Sequence, residues 1–254
     1  MADAVQAKGL VKTFGDVRAV DGIDLQIPRG SFYGIAGPNG AGKSTTLRML
    51  TGLLRPDSGS AEVAGVQVWP NPRQAKSVLG FVPDNPVLFD RLTAPEMLQY
   101  AGMLHGMTPD QIVARSRELL RVLDLEDSRN RLIADFSLGM VKRIGLGVAV
   151  LHNPRVLILD EPFGALDPVN AQVIEDLLQR FRSGGGTVVF ASHVMDVVQR
   201  LCDRVVVIAS GRVLAEGPVS EVSGGGNLQD AFVHLVGGRD LEEGELTWLS
   251  SWSD

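Results

Sequence analysis

One stretch decides the fold: Ser31-Phe32-Tyr33-Gly34-Ile35-Ala36, followed at once by Gly37-Pro38-Asn39-Gly40-Ala41-Gly42-Lys43-Ser44. The apolar run predicts a buried strand, and the glycines predict a loop whose backbone N–H groups turn towards phosphate oxygens at the start of a helix. Lys43 supplies a positive charge to the β- and γ-phosphates, and Ser44 offers a hydroxyl to Mg²⁺. We therefore expect ATP and Mg²⁺ as cofactors, bound by Gly37, Pro38, Asn39, Gly40, Ala41, Gly42, Lys43, Ser44 and Thr45.

A second apolar run, Val156-Leu157-Ile158-Leu159, ends in the two carboxylates Asp160 and Glu161. A carboxylate at the end of such a strand lies beside the phosphate-binding loop, so Asp160 is predicted to hold Mg²⁺. Glu161 is one residue further and points elsewhere, where it can polarise an attacking water as a general base. Acidic residues often end strands as turn formers, and this pair gains weight only together with the loop.

The composition is that of a folded globular chain. It has 254 residues, 44% of them hydrophobic, and a formal net charge of −6, which argues against nonspecific nucleic-acid binding as its main role. The single cysteine, Cys202, excludes an internal disulfide and a cysteine-rich metal site. We expect neither a signal peptide nor a membrane span, since no stretch approaches about 20 apolar residues.

Element patterns divide the chain. Short β-like pieces precede the loop, and alternation at Ile23, Leu25 and Ile27 predicts a half-exposed strand. Capping boxes at Thr93-Ala94-Pro95-Glu96 and Thr108-Pro109-Asp110-Gln111 predict helices within a lobe at about 89–152. Strands then alternate with helices, which predicts an α/β fold with a mainly parallel sheet. We expect a main domain at 1–220 and a C-terminal helix and tail at 221–254.

The segment Phe136-Ser137-Leu138-Gly139-Met140 carries a family resemblance. With the loop and the acidic pair, it resembles the ATP-binding-cassette (ABC) ATPases, whose signature reads Leu-Ser-Gly-Gly-Gln, and the likeness spans 7–217. Ser137 and Gly139 match the signature, while the other three positions depart from it. The resemblance implies a P-loop NTPase (RecA-like) core, an N-terminal antiparallel β subdomain and an inserted helical subdomain.

Site residues of the family map onto further positions of this chain. Ser137 and Gly139 would hold the γ-phosphate bound by the opposite subunit, so that ATP lies between two cassettes. Gly164-Ala165-Leu166-Asp167 resembles the D-loop, which runs across the dimer interface. His193 resembles the switch histidine that contacts the γ-phosphate, although a lone histidine is often structural. Phe14 stands where the family stacks an aromatic ring on adenine, but a phenylalanine is equally a core residue.

One departure bears on the metal. Gly80-Phe81-Val82-Pro83-Asp84 resembles the Q-loop, where the family usually has glutamine at the position of Asp84. Aspartate can still accept a hydrogen bond from a magnesium-bound water, so Asp84 joins Ser44 and Asp160 as a predicted metal residue. An acid here, together with the Ser-Leu-Gly-Met signature, is similar to cassettes of the ABC-2 export type.

The resemblance implies a function and partners. We expect an ATPase that pairs with a second ABC subunit, identical or different, and powers a separate membrane permease from the cytoplasmic face of the membrane. The subfamily likeness implies an exporter. The helical lobe and residues 84–89 are the expected permease contact, and nucleic acid is not an expected partner. An alternative is a soluble cassette ATPase that acts on a cytosolic assembly. A small-molecule kinase is disfavoured by Ser137-Leu138-Gly139 and His193.

The C-terminal end departs from the family pattern. Residues 228–236 predict a short helix, and 239–254 hold one base, Arg239, against five acids, for a net charge of −4. Trp248 and Trp252 are four residues apart, on one face if that segment is helical. This tail is either a dock for a partner subunit or a solvated end.

Overall fold

The computed structural model describes residues 3–164 and 166–237. Its strands are β1 Asp3–Phe14, β2 Val17–Pro28, β3 Phe32–Ala36, β4 Ser58–Val63, β5 Val66–Gln67, β6 Leu79–Val82, β7 Val156–Asp160, β8 Thr187–Ser192, β9 Arg204–Ala209 and β10 Arg212–Pro218. Its α-helices are α1 Lys43–Leu50, α2 Pro72–Val78, α3 Ala94–Leu104, α4 Pro109–Val122, α5 Leu138–Val150, α6 Pro168–Ser183, α7 Met195–Leu201, α8 Val219–Val222 and α9 Leu228–Val236. Two 3₁₀ turns lie at Glu126–Ser128 and Ile133–Asp135.

A six-stranded sheet forms the centre of the molecule, in the order β10-β9-β3-β8-β7-β6. All of its neighbouring pairs are parallel except β9 with β10. Every residue of β3, β7 and β8 is buried, as expected when both faces of a parallel sheet are covered. The predicted α/β fold with a mainly parallel sheet is confirmed.

Side chains that alternate along the strands of this sheet pack into two separate hydrophobic cores, one on each face. Phe32 and Phe190 lie in the core shared with the helices, and their rings meet edge to face at 6.1 Å. Tyr33 and Val189, which are adjacent to Phe32 and Phe190 in their strands, lie in the second core. A four-stranded antiparallel sheet, β2-β1-β4-β5, closes that second core, with α1 packed in it. The period of two along a strand thus sends neighbouring residues to opposite faces.

The helical lobe forms as its capping signals predict. Thr93 and Glu96 make both hydrogen bonds of a capping box at the start of α3, and Thr108 with Gln111 does the same for α4. Ser137 is the N-cap of α5, and its side chain accepts a hydrogen bond from the backbone of Met140. In the described residues, no helix combines the length and the apolar character that a membrane crossing needs.

Two elements differ from the sequence expectation. The N-terminal β pieces are two continuous 12-residue strands, because Gly9 and Gly22 adopt positive φ at irregular pairing positions instead of ending the strands. The helix α2 was not expected between 65 and 79. It is short, and its sequence offers proline near the start but no apolar period.

Candidate nucleotide site

The loop between β3 and α1 needs glycine at specific positions. Gly42 has φ +103° and lies against the backbone of Ala19, so an added Cβ would collide with the Ala19 carbonyl oxygen. Gly37 lies equally close to the carbonyl oxygen of Ile208. The local sequence therefore folds this way because only glycine fits the close backbone approaches.

Lys43 begins α1 and is almost fully buried. Its ammonium donates hydrogen bonds to the carbonyl oxygens of Gly37, at 2.7 Å, and Pro38, at 3.1 Å, which holds the charge over the loop. Burial lowers the pKa of Lys43 from its usual value, while the carboxylates of Glu161 and Asp160 act in the opposite direction. The carbonyl oxygens of the loop thus hold the Lys43 ammonium where it can bind phosphate oxygens.

Ser44 and Asp160 are brought together as predicted for a metal site. The Ser44 hydroxyl donates to Asp160 Oδ1 at 3.0 Å. Burial raises the pKa of Asp160, the hydrogen bond from Ser44 opposes this, and the carboxylates of Glu161 and Asp84 add to it. A buried carboxylate beside other acids is stabilised by a nearby cation.

These oxygens fit Mg²⁺, which prefers hard oxygen ligands and keeps several waters. The described part of the chain contains no cluster of three metal-binding acidic, histidine or cysteine side chains. The residues able to hold the ion are therefore Ser44 and Asp160, with Asp84 nearby, and phosphate oxygens and water would complete its coordination.

Glu161, directly after β7, has an unusual backbone conformation and an unusual side-chain environment. Its φ is +47°, a left-handed conformation that is strained for a residue with a Cβ. Its side chain is only 14% exposed, with Oε1 2.9 Å from His193 Nδ1 and 3.8 Å from Lys43 Nζ. The other oxygen, Oε2, is buried and has no hydrogen-bond partner among the described residues. A buried acceptor without a partner is rare in proteins and suits a group that receives a water or its proton.

Many of the predicted residues line one cleft of about 370 Å³, while Asp160 and His193 lie next to its lining residues Ser44 and Glu161. The loop forms one wall, and Phe14, Asp84 and Glu161 complete it. Phe14 is 49% exposed, which places it at the cleft and not in a core. Lys12 Nζ lies 5.7 Å from the centroid of its ring. Stacking of this ring on a base stays a prediction.

A comparison with known families covers the phosphate-binding loop, Asp84, Asp160 and Glu161. A family model described as "ABC transporter" matches residues 20–164, more than half of the chain. The chain belongs to this family. It is an ABC-type ATPase with the P-loop NTPase fold, similar to ABC-2 exporter cassettes, as its sequence resemblance indicated.

Relatives of this cassette include resistance proteins. It is 39% identical over 219 residues to the daunorubicin/doxorubicin resistance ATP-binding protein DrrA of Streptomyces peucetius, covering 86% of this chain and 66% of DrrA. It is 36% identical over 218 residues to the linearmycin resistance ATP-binding protein LnrL of Bacillus subtilis (strain 168), covering 86% of this chain and 70% of LnrL. The chain therefore spans about two thirds of the length of these relatives.

A solved structure shares the fold closely. The ATP-binding cassette MJ0796, in a dimeric post-hydrolysis state bound to ADP and Pi, has a TM-score of 0.78 and is 26% identical in sequence. The match covers 85% of this chain and 98% of that one.

The signature residues of the cassette lie away from its own cleft. Ser137 is exposed at the start of α5, and Leu138 beside it is 46% exposed. Gly139 lies close to Asn170, at the start of α6, and not against the phosphate-binding loop. None of the described residues that line the cleft comes from this segment. The structure thus brings the loop, Asp160, Glu161, His193, Phe14 and Asp84 together and leaves Ser137 and Gly139 outside.

The segment that resembles the D-loop ends at Asp167, which is the N-cap of α6. Asp167 accepts hydrogen bonds at 3.0 Å from the backbone N–H groups of Val169 and Asn170, which starts α6. Ala165 of the same segment and the acidic tail with Trp248 and Trp252 lie outside the described residues.

One residue at the site was missed from sequence. Lys142 of α5 is 4% exposed, and its ammonium contacts Glu161, Gly164 and Asp84. A lysine in an amphipathic helix normally indicates a solvated face. The available signal was its place, next to Arg143, in a helix whose other residues are apolar.

Proposed function

We propose that this chain hydrolyses ATP with Mg²⁺ and powers a separate membrane permease, as an exporter cassette that binds ATP between two ABC subunits. The observation that carries this proposal is the position of Glu161. Its carboxylate lies between the Lys43 ammonium and the His193 ring, at the end of the strand that also places Asp160 beside Ser44.

Each residue then has a task that its position supports. The loop N–H groups and Lys43 bind the β- and γ-phosphates, and Ser44 and Asp160 hold Mg²⁺, which neutralises phosphate charge when bound. Glu161 accepts a proton from the attacking water through the oxygen that lacks a partner. His193 orients that carboxylate through its 2.9 Å contact. By the family resemblance, His193 would also contact the γ-phosphate.

A second cassette would complete the site. Ser137 and the N–H groups at the start of α5 form an exposed anion-binding helix terminus that its own cleft does not use. The dimeric MJ0796 structure supports pairing in this family. We therefore place Ser137 and Gly139 against the γ-phosphate held by the other subunit.

The permease would dock on the helical lobe. Val87 is 94% exposed, and Phe89 packs edge to face with Tyr100 of α3 at 5.1 Å while remaining 53% exposed. Met103 and Leu104 at the end of α3 are also exposed. Apolar side chains gathered on one surface mark an interaction site. Export as the direction is supported by the two resistance relatives.

The test is Glu161→Gln, which keeps the side chain's size and removes its basicity. We expect the ATPase rate to fall by about 100-fold or more while ATP still binds, and the variant to elute as an ATP-dependent dimer in size-exclusion chromatography. Lys43→Ala serves as the comparison and should abolish productive nucleotide binding. Hydrolysis by Glu161→Gln at the wild-type rate would remove the general-base assignment.

Transport is tested by purification from detergent-solubilised membranes. A stable integral-membrane protein that copurifies with the chain supports the permease. If instead only water-soluble proteins copurify, the chain is a cassette ATPase that acts on a cytosolic assembly.

A further inference from the structure

Lys142 connects three segments of the nucleotide site. Its ammonium donates to the carbonyl oxygens of Glu161 and Gly164, both at 2.9 Å, and lies 3.5 Å from Asp84 Oδ1. A lysine ammonium has three N–H donors, and these are its three acceptors. A buried cation is costly unless it is paired in this way, so the arrangement fixes the positions of all four groups.

The contact with Asp84 differs from the other two. At 3.5 Å it is the longest of the three, and Asp84 is about half exposed, whereas the carbonyl contacts are shorter. Asp84 also lines the nucleotide cleft, so one carboxylate faces both the ammonium and the cleft. This is the position at which the family resemblance led us to expect glutamine. An aspartate here gains a charged partner from α5 that a glutamine would not need.

The contact with Glu161 acts on the backbone. The Glu161 carbonyl oxygen accepts from Lys142 and also from the N–H of Gly164, at 3.1 Å. Glu161 itself has the strained φ of +47°. Strained conformations persist only where surrounding contacts hold them, and these two hydrogen bonds hold this peptide group.

Helix α5 begins with the signature residues. Ser137 caps the helix, and Lys142 follows five residues later, after about one and a half turns. A rigid helix links the segment exposed for the other subunit to the ammonium that contacts Glu161 and Asp84.

We propose that Lys142 is a positioning residue for ATP hydrolysis: it ties α5 to Asp84 and to the backbone of Glu161, so that the placement of the signature segment sets the placement of the general base. This rests on the proposed function. Lys142 is not among the residues that line the nucleotide cleft, and it acts on the reaction through Glu161 and Asp84.

The test is Lys142→Met, with Arg143→Met as a matched control. Arg143 is the adjacent buried cation of α5, but its guanidinium donates to the carbonyl of Leu123 and contacts Asp124, away from the cleft. For Lys142→Met we expect kcat to fall by roughly 10- to 100-fold, with KM for ATP within about threefold of wild type. Arg143→Met should lower the melting temperature and leave kcat per folded molecule unchanged.

The hydrogen bonds from Lys142 to the backbone of Glu161 and Gly164 can be tested without nucleotide. Amide hydrogen exchange of Gly164, measured by NMR on the nucleotide-free protein, should be at least about tenfold faster in Lys142→Met than in wild type. In Arg143→Met it should be unchanged. If Gly164 exchange and kcat are both unaffected by Lys142→Met, the proposal is wrong.

A double-mutant cycle tests the pairing and also serves if Lys142→Met does not fold. Lys142→Gln, Asp84→Gln and the double variant place neutral groups on one or both sides. We expect the double variant to be no slower than the slower single variant, because each change breaks the same contact. Fold losses in kcat that multiply would overturn the pairing. A wild-type protein without ATPase activity would instead contradict the proposed function, while Gly164 exchange would still test the tie.

Discussion

At the residue scale, the cleft depends on glycines that differ in what surrounds them. Gly40 and Gly42 both have positive φ, at +79° and +103°. An added Cβ at Gly40 would meet nothing within 4 Å, whereas at Gly42 it would collide with the carbonyl of Ala19. Alanine at either position would be destabilised by the left-handed backbone conformation. The collision with Ala19 adds to that destabilisation only at position 42.

We therefore expect Gly42→Ala to abolish ATP binding and to lower the melting temperature more than Gly40→Ala does. Gly40→Ala should cost about 1–2 kcal/mol through its conformation alone and should bind ATP more weakly without losing it. Isothermal titration with ATP and thermal unfolding of both variants check this. Equal losses for the two variants would show that the collision with Ala19 is relieved.

The His193 contact gives a second residue-scale prediction. His193→Ala removes the ring beside Glu161 Oε1 without touching the loop. We expect kcat to fall by about 10- to 100-fold, since an oriented base is worth that much or more, with nucleotide affinity little changed. Steady-state kinetics with ATP titration separate kcat from KM. A change confined to KM would assign His193 to binding alone.

At the element scale, the helical lobe contains a histidine pair with a pH consequence. His105, at the end of α3, and His152, after α5, stack with ring centroids 3.7 Å apart. Burial lowers the pKa of His152 to about 4, with His105 and Arg115 adding to the effect and the Leu79 carbonyl opposing it. Burial also lowers the pKa of His105.

The unfolded chain therefore takes up protons at these sites at higher pH than the folded chain does. The stability that these neutral histidines contribute is fully present above the ordinary histidine pKa of 6.5. It is lost as the pH falls from there towards about 4, the pKa of His152 in the folded chain. We expect His152→Phe, which keeps an aromatic ring against His105, to flatten the fall in melting temperature between pH 7 and 5. Thermal unfolding across this range checks it, and an unchanged slope would assign the acid sensitivity to other groups.

Elements with local signals were predictable. The capping boxes at Thr93 and Thr108 and the helix at Leu228–Val236 are specified by residues within one turn of each other, and all are confirmed. The loop after β3 and the pairing of Ser44 with Asp160 also followed, because strand order at a parallel sheet edge brings them together.

What was missed depends on distant contacts. Lys142 and Asp84 are 58 residues apart, and no local pattern shows that these two side chains meet. The helix α2 is held by packing against β5 and β6 more than by its own pattern. Propensity and periodicity describe local preference, and tertiary contacts decided these cases.

At the scale of the whole molecule, the exposed signature segment predicts shared sites. Ser137→Asp keeps a good N-cap for α5 and adds a negative charge where a γ-phosphate would lie. Lys43→Ala removes the loop cation. We expect each variant alone to be inactive, and an equal mixture to regain ATPase activity, because one of its two sites then combines an intact loop with an intact signature.

The measurement is the ATPase rate of the mixture against each variant alone, after dissociation and reassociation of the subunits. Circular dichroism of Ser137→Asp confirms that α5 remains folded. A mixture as inactive as its parts would exclude sites shared between copies of this chain.

The order of strands in the central sheet has a consequence for this site. β8 lies between β3 and β7, so His193, at the end of β8, stands between the phosphate-binding loop and Glu161. Neighbouring strands are about 4.8 Å apart, which sets the two flanking strands roughly 10 Å from each other. The backbone hydrogen bonds of the sheet therefore set the distance between the phosphate-binding loop and Glu161. Repacking of either core can lower the stability of the protein without changing that distance.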